Sequence, residues 1–276
     1  MKIMTDTASL FSPAEGKELG ITVIPACAVM NGEVYRDFED IDSETLLEMM
    51  EKGAVPTTSQ PSVGDMMEIF ENEKDEILFL SIGDGLSGGY QNAMGVKNSV
   101  ENQERIHILD TKTLAGAEHY LVRKAIQLKE HGLHITRIKT ELQKSIETSA
   151  SFVIPVDFNF LRRSGRLTPL AAKIGSMIKI VPVLTQTEDM RRITPLVIKR
   201  SRKKAVEAII ERLKSLGVDE NYFISICHAG VYEHAKEVLQ QIKQHFSNST
   251  LELFSLSPTL ITHGGPGCVL IQAIKK

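Results

Sequence analysis

Residues Glu76 to Ala93 read EILFLSIGDGLSGGYQNA, and this stretch decides the fold. The run from Ile77 to Ile82 is apolar except for Ser81, the pattern of a short buried strand. It breaks at Gly83-Asp84-Gly85, and Leu86-Ser87-Gly88-Gly89-Tyr90 then opens a predicted helix. Glycines let the backbone turn sharply and come close to a ligand. The free N–H groups of a helix start, with their partial positive charge, suit an anion, and Ser87 adds a hydroxyl to that cradle. Gly85 to Gly89 also match the G-x-S-x-G pattern of a nucleophile elbow, which sits on this kind of strand-turn-helix. A plain tight turn fits as well. Three readings therefore stand: anion cradle, elbow and turn.

The same rhythm recurs on either side. Lys2 to Thr5 is a predicted strand that ends in Thr5-Asp6-Thr7, and Ser12-Pro13-Ala14-Glu15 is a helix start with a capping box. Ile21 to Pro25 and Cys27 to Met30 are strand-like, with Asn31-Gly32 a hairpin turn before Glu33-Val34-Tyr35. Asp42 caps a helix to about Gly53, and Ser62 caps another over 63–71. Between them Val55-Pro56-Thr57-Thr58-Ser59-Gln60-Pro61 reads as a loop of hydroxyls bracketed by prolines. It is either an ordinary capped loop or a second set of donors for the anion at Ser87. Residues 105–109 form another strand that ends at Asp110-Thr111, with helices over 113–131 and 136–148. Alternating strands and helices predict a parallel sheet with helices on both faces, whose ligands lie beyond the carboxyl ends of its strands. Asp6, Ser87 and Asp110 all fall at such ends.

From residue 151 the pattern changes. Strands are expected at 151–156, 177–184, 190–198, 222–227, 250–256 and 268–274, with the pair 177–184 and 190–198 joined by a polar loop. Helices are expected at 168–176, 201–216 and 231–245. This predicts an α/β chain of two domains. Residues 1–150 form an N-terminal parallel α/β domain, and 151–276 form a C-terminal α+β domain with a mixed sheet.

With 276 residues, 42% of them hydrophobic, a sizeable core is available. No apolar run reaches membrane-spanning length and the N-terminus has no signal-peptide core, so a cytoplasmic protein without membrane insertion is expected. Cys27, Cys227 and Cys268 are widely spaced in apolar surroundings and read as reduced core residues. The eight histidines lack metal-ligand spacing, so neither a metal nor a cofactor is expected. Charge is uneven: residues 157–204 carry twelve Lys and Arg against three acids, a net +9 that leaves −12 elsewhere. A basic face suits an anionic partner, or is simply solvated. Nucleic acid is not expected, since no aromatic interleaving or DNA-reading motif accompanies the charge.

His263 opens the second unusual stretch, His263-Gly264-Gly265-Pro266-Gly267. Four turn residues leave the backbone exposed and allow the imidazole a close approach to a ligand; a satisfied structural histidine fits equally. Ser87, Asp110 and His263 follow the Ser…Asp…His order of α/β-hydrolases, so an esterase-like serine hydrolase is the alternative function. Three features oppose it. Asp110 lies only one βα unit after Ser87, no HGGG-type oxyanion loop precedes the serine, and residues 1–75 lack a long strand meander.

Taken together, these stretches resemble the DegV family over essentially the whole chain. The carriers are Thr5-Asp6-Thr7, Tyr35-Arg36-Asp37, Pro56 to Ser62, Gly85 to Ala93 and Asp110-Thr111 in the first half. The second half adds Phe160 to Arg166, Val181 to Leu184 and His263 to Gly267. The resemblance implies two α/β domains with a long-chain fatty acid buried between them. It further implies the carrier subunit of a bacterial fatty acid kinase, with no catalytic residue of its own. A separate ATP-binding subunit related to dihydroxyacetone kinases would phosphorylate the acyl carboxylate, and the acyl phosphate would feed phospholipid synthesis. By position, Ser87 and a threonine of the Thr57-Thr58 pair would bind the carboxylate, with Ser59, Gly88 and His263 close by and Thr58 the favoured threonine. Arg166 matches the arginine that engages the kinase. The chain departs from the family at Gly89 and Asn92, where threonine and serine are usual, and at Ser164, where glycine is usual. It also departs at Val181, where a lysine is usual, and in Leu114 to Ala117.

The tail itself should leave no motif. About fifteen buried methylenes at ~0.8 kcal/mol each supply roughly 12 kcal/mol before ordering costs, and they need only apolar walls. Only the carboxylate end is legible, as neutral donors that hold the group without neutralising it as a bidentate arginine would.

Overall fold

A computed structural model describes residues 1–173 and 180–276 of the chain. The predicted parallel sheet is present. Its order is Thr22–Ile24, Lys2–Asp6, Ile77–Ser81 and Ile106–Asp110, all parallel. Every residue of Ile77–Ser81 is buried, as a central strand covered on both faces requires. Helices Val63–Asn72 and Gly89–Lys97 cover one face, where Met66, Phe70, Ala93 and Val96 pack on Ile77 and Phe79. Helices Ala115–Glu130 and Ile135–Ile146 cover the other, through Leu121, Val122, Ile138 and Leu142 on Ile3, Leu78 and Leu80.

The second sheet is mixed and has six strands. Its order is Ile193–Lys199, Val181–Gln186, Ala150–Ile154, Val269–Lys275, Tyr222–His228 and Thr250–Ser255, and only the last pair is parallel. Helices Arg202–Ser215 and Tyr232–Lys243 pack on one face around Ile209, Ile224, Ile226 and Val238. The other face meets Ala115–Glu130 and Ile135–Ile146, so Phe223 and Ile274 belong to the same core as Leu121 and Ile138. One helical layer therefore serves both sheets.

Local signals hold where they were strong. Ser12 and Glu15 form both arms of a capping box, and Asn31 and Gly32 take positive φ in the hairpin between Cys27–Met30 and Glu33–Arg36. Two stretches differ from the sequence reading. Thr57–Ser59 is not loop but a strand, paired antiparallel with Cys27–Met30 in a small three-stranded sheet. Three residues are too few for an alternating pattern, and the partner lies some thirty residues away. His263 lies not in a glycine loop but near the end of a helix, Pro258–Gly264, after which Gly265 takes φ +78. Of the helix expected at 168–176, Pro169–Ala172 is seen, capped by Thr168 and Lys173, and 174–176 fall outside the described residues, as does the start of the strand expected from Met177.

Candidate functional site

The carboxyl ends of the parallel strands face the six-stranded sheet across a cavity of about 1120 Å³, open mouth included. One wall comes from the loops after the parallel strands: Asp6 and Ala8, then Ile82, Leu86 and Ser87, then Leu114. The opposite wall is the second sheet and its helices, through Val153, Leu161, Ile193, Leu256, Leu260 and Leu270 among others. The surface that lines it is mostly apolar, as in sites for small organic ligands.

Two polar side chains of the lining meet directly. Thr58 Oγ1 lies 3.0 Å from His263 Nε2, and both residues line the cavity together with Ser59, Ser87 and Arg166. Two loops remote in sequence thus deliver a hydroxyl and an imidazole to one point. Of the two threonines, Thr58 lines the cavity, whereas the exposed Thr57 does not and turns its hydroxyl to Val29 O at 3.4 Å. Ser87 Oγ accepts from Gly89 N at 3.2 Å, which leaves its own proton free to donate. Burial, reinforced by the charge of Arg166, pushes the His263 imidazole down to about 4. At neutral pH the imidazole is neutral, with one donor and one acceptor nitrogen.

Arg166 stands at the rim. Its Nε donates to Leu86 O at 3.0 Å and Nη1 donates to Ser164 O, and among the described residues no carboxylate pairs with it. A second, more open hollow lies outside it, lined by Asp84 to Gly88 and Ser164 to Arg166. Gly88 lines this hollow, and Gln60 packs so close over it that a Cβ would stand 2.1 Å from Gln60 Nε2.

The glycines of the 83–89 turn have a cause that the sequence did not show. A Cβ at Gly83 would stand 2.8 Å from Lys112 C, and one at Gly85 (φ +88) would stand 2.7 Å from Arg191 Cβ. They admit neighbouring protein loops at these positions.

The hydrolase constellation is not assembled. Asp110 Oδ1 accepts from Asp84 N at 3.0 Å and Lys112 N at 2.9 Å, and so serves the turn that carries Ser87. His263 Nε2 is engaged by Thr58, and no hydrogen bond joins it to Ser87 or Asp110. A base oriented by an acid beside the nucleophile is what such catalysis requires.

Two buried carboxylates brace the site, Asp6 in its wall and Asp37 beneath it. Asp6 accepts from Ala8 N (2.9 Å) and Ile82 N (3.1 Å), and burial pushes it up to about 6 against those bonds. Burial likewise pushes Asp37 up to about 7, against hydrogen bonds from Thr259 and Thr7. In the sequence Asp37 is visible only as part of Tyr35-Arg36-Asp37, and Gln60, Leu86 and Ser164 carry no signal of their own.

A mixed α/β fold whose apolar cavity carries hydroxyls and a neutral imidazole in its wall has the form of a small-molecule binding site. The chain belongs to the DegV family: the model described as "Uncharacterised protein, DegV family COG1307" matches residues 1–276. A DegV domain-containing protein of Lactococcus lactis, YteA, is 31% identical over 287 residues, covering 100% of this chain and 98% of the relative. Among solved structures, DegV of Bacillus subtilis, described as a fatty acid binding protein, superimposes with a TM-score of 0.87 at 26% identity, covering 100% of this chain and 99% of its own. A DegV family protein of Thermus thermophilus, described by its fatty acid binding, gives 0.86 at 25% identity with coverages of 100% and 99%.

Proposed function

We propose that this chain binds a long-chain fatty acid, with the tail in the aliphatic cavity and the carboxylate at Ser87, Thr58 and His263. The observation that carries the reading is the pairing of a largely apolar cavity with a cluster of neutral donors in its wall: a free Ser87 proton, and Thr58 in contact with a neutral His263. A site built to neutralise an anion would aim a cation at it, whereas the Arg166 donors Nε and Nη1 are turned to Leu86 O and Ser164 O. The fatty acid binding described for the B. subtilis and T. thermophilus relatives supports the same ligand class.

On this reading the protein is a cytoplasmic carrier. It presents the carboxylate to a separate ATP-binding kinase subunit, related to dihydroxyacetone kinases, which forms an acyl phosphate for phospholipid synthesis. Residues 1–150 and 151–276 act as the two halves that close on the ligand, and Arg166 at the rim contacts the kinase.

The test is mass spectrometry of the purified protein, native and after solvent extraction. One fatty acid per chain is the expected result. A protein that is empty and takes up no added palmitate would refute the ligand class. For the kinase step, Arg166→Ala should retain palmitate and lose acyl phosphate formation with the partner subunit; loss of palmitate would refute the assignment of Arg166.

A further inference from the structure

We propose that Asp37 is a positioning residue for the head group: its buried carboxylate fixes the helix that delivers His263 to the ligand. The inference rests on the fatty-acid reading above and names a residue that acts on the carboxylate without touching it.

Asp37 is fully buried. Its Oδ2 accepts from Thr259 Oγ1 at 2.7 Å and Thr7 Oγ1 at 3.1 Å, and Thr259 N lies 3.2 and 3.3 Å from its two oxygens. The backbone on its own side is fixed as well, since Asp37 N donates to Ala26 O at 2.9 Å and Ala26 N donates to Thr7 Oγ1 at 3.0 Å. The carboxylate thus sits in the first half of the chain and grips one residue of the second, 222 positions away.

The gripped residue is in a telling place. Thr259 lies in the first turn of the helix Pro258–Gly264, and His263 lies four residues on, which puts both on one face a turn apart. Both line the cavity, and His263 there meets Thr58. A continuous set of bonds therefore runs from Thr7 through Asp37 and Thr259 to one end of this helix, and from His263 to Thr58 at the other. A short helix is stiff along its axis, so loss of the grip at Thr259 displaces the imidazole that the ligand meets. Burying a carboxylate is costly, and fixing a helix by apolar packing would avoid that cost. What a carboxylate adds is acceptor capacity: it takes two hydroxyls and an N–H at once, which sets the position of the helix and not only its packing.

The experiment compares palmitate with 1-hexadecanol, which has the same tail and no carboxylate, in wild type, Asp37→Ala, Asp37→Asn, His263→Ala and the Asp37→Ala/His263→Ala double variant. Asp37→Ala should weaken palmitate at least tenfold and hexadecanol less than twofold. Asp37→Asn, which keeps an acceptor for Thr259, should stay within threefold of wild type. The double variant should bind palmitate within twofold of His263→Ala alone, because both changes remove the same contact. Equal losses for the two ligands, or losses that multiply in the double variant, would overturn the inference and leave Asp37 a structural residue. If Asp37→Ala does not fold, Thr259→Val takes its place, with an expected three- to tenfold loss for palmitate that vanishes in the His263→Ala background. A wild type that binds neither ligand overturns the fatty-acid reading itself; a wild type that binds palmitate alongside an unaffected Asp37→Ala overturns only the role of Asp37.

Discussion

Gly116→Ala tests the shared helical layer directly. Gly116 lies in the first turn of Ala115–Glu130, where that helix crosses Tyr222–His228 of the second sheet. An added Cβ would stand 2.2 Å from Ser225 Oγ, 2.3 Å from Ser225 Cβ and 3.2 Å from Cys227 Sγ. A new rotamer moves Ser225 Oγ away, but its Cβ is fixed to the strand backbone. Helix and strand must therefore part by more than an ångström to reach ordinary contact. Overpacking of this kind costs about 1–3 kcal/mol, and contact with a backbone-anchored atom places it at the upper end. For a chain of this size each kcal/mol lowers Tm by about 2–4 °C, so a fall of roughly 5–12 °C is expected. Differential scanning fluorimetry measures it. Ser225→Gly in the same chain removes both close contacts and should recover most of the loss, less ~0.5–1 kcal/mol for glycine in a strand. A Gly116→Ala protein that melts within 1 °C of wild type would refute the close crossing and, with it, the single core that joins the two sheets.

Three further outcomes follow from the site and its supports. Ser87→Ala should weaken palmitate by about 10- to 150-fold, the loss of one hydrogen bond to a charged group at ~1.5–3 kcal/mol; a change below twofold in a competition titration would remove Ser87 from the head-group site. Gly85→Ala should destabilise far more than Gly132→Ala. Both glycines have positive φ, but only Gly85 faces Arg191, so its cost adds ~1–3 kcal/mol of packing to the ~1–2 kcal/mol of left-handed strain, and equal Tm shifts would show that packing plays no part. The Asp37 carboxyl, raised by burial from 3.8 to about 7, contributes stability that is full below 3.8 and lost as pH rises through 7. The stability of Asp37→Asn relative to wild type should therefore climb from pH 5 to about pH 7, by no more than ~1.4 kcal/mol per pH unit, and level off above; a difference that stays flat in denaturant titrations across this range would mean that the carboxyl titrates in its ordinary range.

Much of the fold was legible because its signals are local. The strand 77–81, the caps at Ser12, Asp42 and Ser62, and the Asn31-Gly32 turn each need only a few neighbouring residues. The strand Thr57–Ser59 was not legible, since its existence depends on Cys27–Met30, and flanking prolines argue against a strand when that partner is out of view. The helix Pro258–Gly264 did carry a signal. Ser257-Pro258 repeats the helix start of Ser12-Pro13, but the glycines that follow His263 are themselves a loop signal. At the site, Ser87 and His263 stood out beside glycines, whereas Leu86, Val153, Leu161 and Leu270 are interchangeable aliphatics whose convergence is purely a product of the fold. Asp37 is the sharpest case, because its meaning lies in Thr7 and Thr259, far away in sequence on either side.

The proposed carrier must hold a carboxylate firmly and yet leave it able to attack a phosphoryl group, and the rim shows how those demands can coexist. A guanidinium pressed onto the carboxylate would bind it well but draw off the electron density needed for attack. Arg166 is close enough to lower the His263 imidazole, yet it is tied by Nε to Leu86 O and by Nη1 to Ser164 O. Its charge therefore acts through His263: it helps to keep the imidazole neutral down to about pH 4, so that the head group meets dipoles and not an ion. Arg166→Gln removes that charge and should let the His263 pKa rise toward its ordinary 6.5. NMR titration of the His263 ring carbon would measure the change. A midpoint that moves upward supports this division of labour; one that stays near 4 means burial alone sets the imidazole, and Arg166 then has no part in keeping it neutral.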